Sequence, residues 1–460
     1  MSRQGLLIFE EKSVEGQPLD LRVAGLSLLD RSIRTMARAG LERLAVILPA
    51  AADLRLTRLT QKLDLTIEFL TWESASSLAL PADSEVLVLL GDHVHHHSSL
   101  TQFVENGLEG ADLVVQTSAA PQQEGPFIRT TFGSGTTFAE ITEASGAVNT
   151  GAFLCSANLF AQRDIAAGQT NFHTFLQEIA AKKNSVERVS SSPLWRRVWD
   201  RRSVRSAKKM LFGQVTKPTS GFVSRHLNAR ISIPISKLLV ETGMSPHVVT
   251  VLFVMTTGLT SAYLISFADH YPTLLLAGFL WQMAAVLDRC DGEIARVKLC
   301  ESKFGAWFDT VTDNFAYICA YIGLLFGMRR LYPETMFYWY LGLSAIAAFV
   351  LTLIILYIYA RRSGSGSLQH YLRDLNRDLP DSEKSWVQTL MQRYGVIGKR
   401  DFFSFVVFLT TIVNRVQISY WFIVVISYLA VGGVLLSQRK MLKKATRISA
   451  QRNVPAEDRR

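Results

Sequence analysis

The hydrophobic and polar residues follow different patterns in the two halves of the chain. Over residues 1–190, short apolar runs at 6–9, 44–48, 86–90 and 113–116 alternate with helical patterns, of which 26–39 is the clearest. Strands that alternate with helices are typical of α/β folds with a largely parallel sheet. We therefore expect an α/β domain in the first half of the chain.

The second half contains apolar stretches that are long enough to cross a membrane. The clearest is 248–267, which carries no charged residue. A helix rises about 1.5 Å per residue, so about 20 residues cross a hydrocarbon core of about 30 Å. Further stretches follow at 272–287, 304–327, 336–360, 402–413 and 417–436. The pattern predicts an all-α domain of six transmembrane helices, the fifth of them short.

The distribution of charge indicates how such a domain is oriented. The chain has 49 Lys and Arg against 39 Asp and Glu, and the basic residues concentrate before the first span, after the fourth and after the sixth. The opposite loops hold only Arg329, Arg330 and Arg415. The positive-inside rule then predicts a multi-pass protein of the cell (inner) membrane with both termini in the cytosol. Juxtamembrane basic residues bind anionic lipid headgroups, so we expect a lipid membrane as partner and no nucleic acid.

Four aspartates cluster between the second and third predicted spans. The sequence has Asp288, Asp291, Gly292, Ala295 and Arg296, and after eight further residues Gly305, Asp309 and Asp313. On helices, spacings of three and four residues place each aspartate pair on one face, and the short connection makes the helices antiparallel neighbours. Carboxylates at a membrane repel one another unless cations neutralise them, and Mg²⁺ prefers oxygen ligands that it shares with phosphates. We expect the four to converge on a divalent-cation site, since solvation or pairing with neighbouring arginines would explain one aspartate better than four.

This eight-position pattern resembles the signature of the CDP-alcohol phosphotransferase family. The resemblance implies a six-helix membrane enzyme, with its active site at the cytosolic side, that moves a phosphoryl-alcohol from a CDP-linked donor to an acceptor hydroxyl and releases CMP. By position, the aspartates would hold two Mg²⁺ ions, with Mn²⁺ as an alternative, and Asp313 would also be the general base. The nucleotide would contact Asp288, Gly292, Ala295, Arg296 and Gly305. A homodimer is also implied by this resemblance.

The segment before the first span is similar to that of the inositol-phosphate-using branch of this family. It begins with turn-forming residues and continues to about residue 240 with apolar residues at helical spacing. This spacing is typical of an amphipathic helix on a membrane surface. By resemblance, Lys217, Arg225 and Arg230 would bind an anionic acceptor such as a polyol phosphate. Contact with lipid phosphates is the alternative for the arginines.

The first domain resembles the nucleotidyltransferase domain that is fused to this branch. The likeness rests on the stretch 23–47, on Gly91-Asp92, where that fold holds a metal-binding aspartate, and on 149–151. That fold needs a glycine-rich basic loop after its first strand, whereas here the strand runs into Glu10, Glu11 and Glu15. Carboxylates at this place would repel a triphosphate. We expect a degenerate domain without cytidylyltransferase activity, and a solvated loop for His93, His95, His96 and His97.

The predicted organisation is a degenerate nucleotidyltransferase-like α/β cytosolic domain (1–190), a basic linker (191–216), a membrane domain with an interfacial helix and six transmembrane helices (217–447) and a polar tail (448–460). Inositol-phosphate-type substrates are favoured by the fused domain. One alternative is a phospholipid synthase that uses CDP-diacylglycerol. Another is a non-catalytic membrane assembly protein that retains the fold.

Overall fold

The structure of the protein, a computed structural model, describes residues 4–9, 21–49, 60, 63–71, 84–119, 127–131, 137–141, 148–161, 185–190, 194–217, 220–362 and 400–452. The chain forms two units. The first unit consists of Met1–Val215 together with Val240–Gly243 and Arg296–Cys300. The second unit consists of Thr216–Leu239, Met244–Ala295 and Glu301–Arg460.

The described part of the first unit is built from strands and four helices. The strands are β1 (Gln4–Ile8), β2 (Arg22–Val23), β3 (Leu26–Ser27), β4 (Arg43–Leu48), β5 (Thr66–Thr71), β6 (Glu85–Leu90), β7 (His93–His95), β8 (Leu113–Ser118), β9 (Phe127–Thr131), β10 (Thr137–Ile141), β11 (Val148–Ser156), β12 (Ser185–Ser190) and β13 (Trp195–Arg197). The helices are α1 (Leu28–Arg38), α2 (His97–Glu105), α3 (Asn158–Ala161) and α4 (Arg201–Gly213).

A mixed sheet forms the core of this unit. Its centre has the order β6-β1-β4-β5 with all neighbours parallel, and β11 pairs antiparallel with β6. Strands β1, β4 and β6 are apolar runs that are buried almost throughout, as expected for strands covered on both faces. Helix α1 begins at Ser27, whose hydroxyl accepts a hydrogen bond from the Asp30 amide. The α/β prediction, with its four strands and its helix, is confirmed.

The predicted linker contains regular structure. Within 191–216, β13 pairs antiparallel with β7, and α4 follows with Asp200 and Ser203 forming a reciprocal cap at its first turn. These elements belong to the first unit. A capped helix and a paired strand give this segment a fixed conformation, which its Ser-rich and basic composition did not indicate.

Two buried arginines of α1 tie together separate segments of the first unit. The Arg31 guanidinium is 1% exposed and donates to the carbonyls of Val23, at 2.7 Å, and Val297, at 2.9 Å. Arg34 donates to the carbonyl of Lys298 at 2.7 Å and to the hydroxyl of Thr60 at 2.9 Å. Burial lowers the pKa of Arg31 to about 9. A buried guanidinium group is tolerated in a core when its N–H groups donate hydrogen bonds to carbonyl oxygens, as they do here.

The described second unit is helical. After a π-helical turn at Ser224–Asn228 it contains α5 (Ala229–Leu239), α6 (Pro246–Val249), a second π-helical turn at Thr250–Met255, α7 (Thr256–Phe267), α8 (Tyr271–Val297), α9 (Lys303–Leu331), α10 (Met336–Arg362), α11 (Arg400–Ile412) and α12 (Val416–Arg452). Helix α8 ends in the segment that belongs to the first unit.

Five of the described helical segments are long and apolar enough to cross a membrane. They are Pro246–Phe267, Tyr271–Val297, Lys303–Leu331, Met336–Ile358 and Val416–Leu436. The sixth predicted helix is the apolar part of α11, Asp401–Ile412, which is shorter than a full span. The described residues thus contain five helices long and apolar enough to span a membrane and one shorter apolar helix, as expected for a multi-pass membrane protein. The interior of the second unit is packed by aromatic side chains such as Trp281, Tyr321 and Phe403.

Candidate active site

The eight motif positions lie on α8 and at the start of α9. A short connection joins these helices, and Ser302 caps α9 by accepting a hydrogen bond from the Gly305 amide at 2.9 Å. Asp288 and Asp291 lie near the C-terminal end of α8, whereas Asp309 and Asp313 lie in the first turns of α9. The short connection thus places both aspartate pairs near the turn between the two helices.

The structure brings three of the four aspartates together. One carboxylate oxygen from each of Asp288, Asp309 and Asp313 lies within 4.8 Å of the other two, and all three residues are half-buried. Cation–oxygen distances of about 2.0–2.6 Å allow ligand oxygens to be this far apart around one divalent ion. The donor set is all carboxylate, which is the chemistry that hard cations such as Mg²⁺ select. The residues present therefore fit a divalent cation.

Asp291 departs from the predicted convergence of four carboxylates. It is 7% exposed, and its Oδ2 accepts a hydrogen bond from the hydroxyl of Thr250 at 2.5 Å. Three residues correspond to about 300° of rotation on a helix, so Asp291 points to one side of Asp288 and meets the first span instead. Thr250 does not stand out in the sequence, because 41 residues separate it from its partner.

The other motif residues lie on the same two helices as the aspartates. Gly292, Ala295 and Arg296 are half-buried near the end of α8, and Arg296 is part of the first unit. A Cβ at Gly305 would lie 3.2 Å from Cε1 of His247 and 3.1 Å from Oγ of Ser302. The imidazole of His247 also packs edge-on against Phe308, with ring centroids 5.3 Å apart. Gly305 therefore provides the space that this ring occupies.

The residues predicted to bind the acceptor are exposed. Lys217 precedes the first π-helical turn, Arg225 lies within it, and Arg230 lies in the first turn of α5. Two other charged residues, Arg289 and Glu293, occupy variable positions between the motif residues of α8. They form an ion pair of 3.1 Å with side chains that are 9% and 0% exposed.

Asp92 of the first unit already has cationic and polar partners. Its Oδ1 lies 2.6 Å from Nδ1 of His93, and its Oδ2 accepts from Nε of Arg197 at 2.8 Å. Burial acts to raise the pKa of Asp92, but His93 and Arg197 outweigh burial and hold this pKa below its ordinary value. The acidic loop at 10–15 lies outside the described residues.

The predicted solvated histidine loop is wrong. His93 and His95 belong to β7 and are 2% and 4% exposed, since β7 pairs with β13 and the His93 ring stacks on Trp195 at 5.7 Å. His96 caps α2 by accepting from the Ser98 amide. Burial, with a smaller effect of His93, lowers the pKa of His95 to about 3, so this ring is neutral at physiological pH.

Comparisons with known proteins find a family match for part of the chain. Residues 244–373 match the family described as CDP-alcohol phosphatidyltransferase. The chain is 27% identical over 314 residues to the bifunctional IPC transferase and DIPP synthase of Aquifex aeolicus, which covers 65% of this chain and 71% of that protein. It is 27% identical over 149 residues to a phosphatidylinositol phosphate synthase of Mycobacteroides abscessus, covering 32% of this chain and 63% of the relative.

Among solved structures, the inositol-1-phosphate CTP transferase from T. maritima is similar with a TM-score of 0.36 and 10% identity, covering 45% of this chain and 97% of that chain. The motif, the membrane helices and the match over 244–373 lead to one identification. Residues 244–373 carry a CDP-alcohol phosphatidyltransferase domain.

Proposed function

We propose that this transferase uses inositol-phosphate-type substrates and works at the aspartate cluster of α8 and α9. The observation that carries the proposal is the approach of the Asp288, Asp309 and Asp313 oxygens to within 4.8 Å of one another. Enzymes of this family use CDP-linked donors and alcohol acceptors in membranes and generally depend on divalent metals. The relative from M. abscessus is a phosphatidylinositol phosphate synthase, which supports the substrate class.

The four motif aspartates would hold two Mg²⁺ ions, or Mn²⁺ ions. Three of them already share one small volume, and Asp291 lies on the same helix one turn from Asp288. The bound ions would neutralise the negative charge of the donor diphosphate and of the leaving CMP.

The chain's own residues would then bind the donor and move one proton. The acceptor hydroxyl attacks the phosphorus that carries the donor alcohol, and its proton passes to the carboxylate of Asp313. The bond from this phosphorus to the oxygen bridging to CMP breaks, and CMP leaves with the electron pair. Arg296 donates hydrogen bonds to the diphosphate, and Gly292, Ala295 and Gly305 allow the nucleotide to approach the helices closely.

Release of CMP by the purified full chain tests this role. We expect Asp313→Asn to abolish CMP release while donor binding is retained, because the amide cannot accept the proton. Asp269→Asn is a matched control, since Asp269 pairs with Arg330 on the exposed surface. Full turnover by Asp313→Asn would remove this residue from the role of base. Wild-type protein that releases no CMP with any donor would favour the non-catalytic assembly protein.

The identity of the donor decides between two substrate classes. CDP-inositol with inositol phosphate would give a water-soluble product, whereas CDP-diacylglycerol with inositol phosphate would give a product that partitions into organic solvent. We expect the water-soluble product, because residues 1–190 resemble the nucleotidyltransferase domain that is fused to the inositol-phosphate-using branch. The exposed cations Lys217, Arg225 and Arg230 suit the anionic acceptor of either reaction. Product found only in the organic phase would identify a phospholipid synthase.

We also propose that the active site and both termini face the cytosol, in the inner membrane. The support is the concentration of basic residues before the first span and after the fourth and sixth. Labelling of single cysteines placed at Arg205 and at Arg330 with a membrane-impermeant reagent in intact cells tests this orientation. Only the cysteine at position 330 should react.

We further propose that the first unit does not transfer a cytidylyl group. The support is Asp92, whose two oxygens contact His93 and Arg197 at 2.6 and 2.8 Å and are thus already neutralised by the protein. The full chain should release no pyrophosphate from CTP and inositol 1-phosphate. Pyrophosphate release that Asp92→Asn abolishes would overturn this proposal.

A further inference from the structure

The segment before the first span buries four small polar residues, whereas several of its apolar residues are exposed. Ser224, Asn228, Ser232 and Ser236 recur at every fourth position and are at most 3% exposed. Apolar neighbours face outward, as shown by the 69% exposure of Phe222. In a bilayer, small polar side chains form helix–helix contacts and apolar ones face lipid. The four residues, which we call the polar stripe, therefore mark the face that packs against protein.

Three partners of the polar stripe lie on one face of α8, and Asn228 also donates to Oδ1 of Asp401 on α11 at 3.4 Å. Gln282, Arg289 and Glu293 are seven and four residues apart, which places them in one row along the helix. Gln282 donates to Oδ1 of Asn228 at 2.8 Å. Thus Asn228, the second residue of the stripe, contacts the helix that carries Asp288.

A buried ion pair makes the central contacts of this row. Both oxygens of Glu293 accept hydrogen bonds from the stripe, from Ser232 at 2.8 Å and from Ser236 at 2.7 Å. Arg289 donates to Oε1 of Glu293 at 3.1 Å, to the hydroxyl of Ser232 at 3.2 Å and to the hydroxyl of Ser224. The carboxylate and the guanidinium are thus each held by several directional bonds.

These bonds fix how the segment is rotated about its own axis. Arg289 spans Ser224 and Ser232, which are two turns apart, so a rotation of the segment would break bonds at both places. Arg225 directly follows one stripe residue, and Arg230 lies two positions before another. The two arginines are held at a defined position relative to α8 as long as the stripe stays docked.

We infer that Arg289 and Glu293 are positioning residues, which hold the arginines of the acceptor segment in place relative to the aspartates of α8. This inference rests on the proposed function, because it takes Arg225 and Arg230 as acceptor-binding residues. Each helical residue turns by about 100°, so Arg289 and Glu293 point away from the face that carries Asp288 and Asp291. They act through the segment, whose hydroxyl groups they bind.

Steady-state kinetics of CMP release separates this role from a general loss of structure. In Glu293→Gln, we expect the acceptor KM to rise about tenfold or more, because a buried Arg289 loses its charge partner and the stripe loosens. The donor KM should change less than about twofold, since the aspartate face is untouched. Ser236→Ala removes one hydrogen-bond donor to Glu293. It should therefore also raise the acceptor KM more than the donor KM, but by a smaller factor than Glu293→Gln. Ser266→Ala is the matched control, because its hydroxyl bonds only to Ala262 of its own helix.

Hydrogen exchange gives a readout that does not depend on activity. Amides of residues 224–236 should exchange faster in Glu293→Gln and Ser236→Ala, while those of α9 keep their wild-type protection. Equal increases in donor and acceptor KM, or unchanged exchange over 224–236 in both variants, would overturn the positioning role. If the wild type releases no CMP, the proposed function fails, and the exchange result still decides whether the pair holds the segment. Should Glu293→Gln fail to fold, Ser236→Ala alone supplies both measurements.

Discussion

Thr250 holds Asp291 in place, so replacing its hydroxyl should weaken the active site without creating a cavity. Thr250 is 2% exposed, and its oxygen lies 2.5 Å from Oδ2 of Asp291, which is itself 7% exposed. Valine has nearly the shape of threonine but cannot donate. A buried carboxylate that loses a hydrogen-bond donor is higher in free energy, because water cannot reach it to replace the bond.

The size of the effect follows from the negative charge on Asp291, which accepts the hydrogen bond from Thr250. Hydrogen bonds to charged groups contribute about 1.5–3 kcal/mol, and about 1.4 kcal/mol corresponds to a factor of ten. If the bond orients Asp291 in the transition state, kcat/KM for CMP release should fall about 10- to 150-fold in Thr250→Val. The Mg²⁺ concentration for half-maximal activity should rise as well, since a misdirected Asp291 binds a cation less well.

The assay measures CMP release by the purified full chain over a Mg²⁺ titration. Thr250→Ser keeps the hydroxyl and should retain most of the activity. Thr352→Val is the matched control, because Thr352 is buried and its hydroxyl bonds only to Ala348 of its own helix at 2.9 Å. Equal kcat/KM and equal Mg²⁺ dependence for the valine and serine variants at position 250 would refute the reasoning.

Two further predictions concern stability. A Cβ at Gly323 would lie 2.5 Å from the carbonyl oxygen of Ala262, so Gly323→Ala should push two spans apart and lower the thermal midpoint by an amount equivalent to about 1–3 kcal/mol; Gly432→Ala, with open space around the new methyl group, should not lower it. The pKa of Asp92 lies below its ordinary value of 3.8, so the ionised carboxylate stabilises the first unit above about pH 4, and this contribution is lost as the pH falls further. Exchange protection of residues 85–95 should therefore be lower in Asp92→Asn than in the wild type at pH 7, and the difference should narrow as the pH falls below about 4. A constant difference through the acid range would contradict the assignment.

The sequence was sufficient to predict those strands and helices in which every residue is either buried in protein or surrounded by lipid. Runs such as 86–90 are apolar throughout because the strand is covered on both faces, and the span 248–267 is apolar because lipid surrounds it. The aspartate cluster was also predictable, since helical spacing places Asp309 and Asp313 on one face.

Contacts between residues distant in sequence could not be predicted in the same way. The partner of Asp291 is 41 residues away, and β7 is buried by β13 about 100 residues later along the chain. The polar stripe was visible as a four-residue repeat, but a surface-helix interpretation turns its polar face to water. In a membrane the preference reverses, so the serines face protein and Phe222 faces outward.

The first unit is discontinuous along the chain, and this limits how it can be isolated. A fragment that ends at Val215 lacks the carbonyl groups of Val297 and Lys298, to which Arg31 and Arg34 donate. Such a fragment would keep two buried cations with part of their acceptors missing, and its solubility and binding behaviour would report on that defect. Expression trials should therefore compare it with a version in which Arg31 and Arg34 are both replaced by methionine.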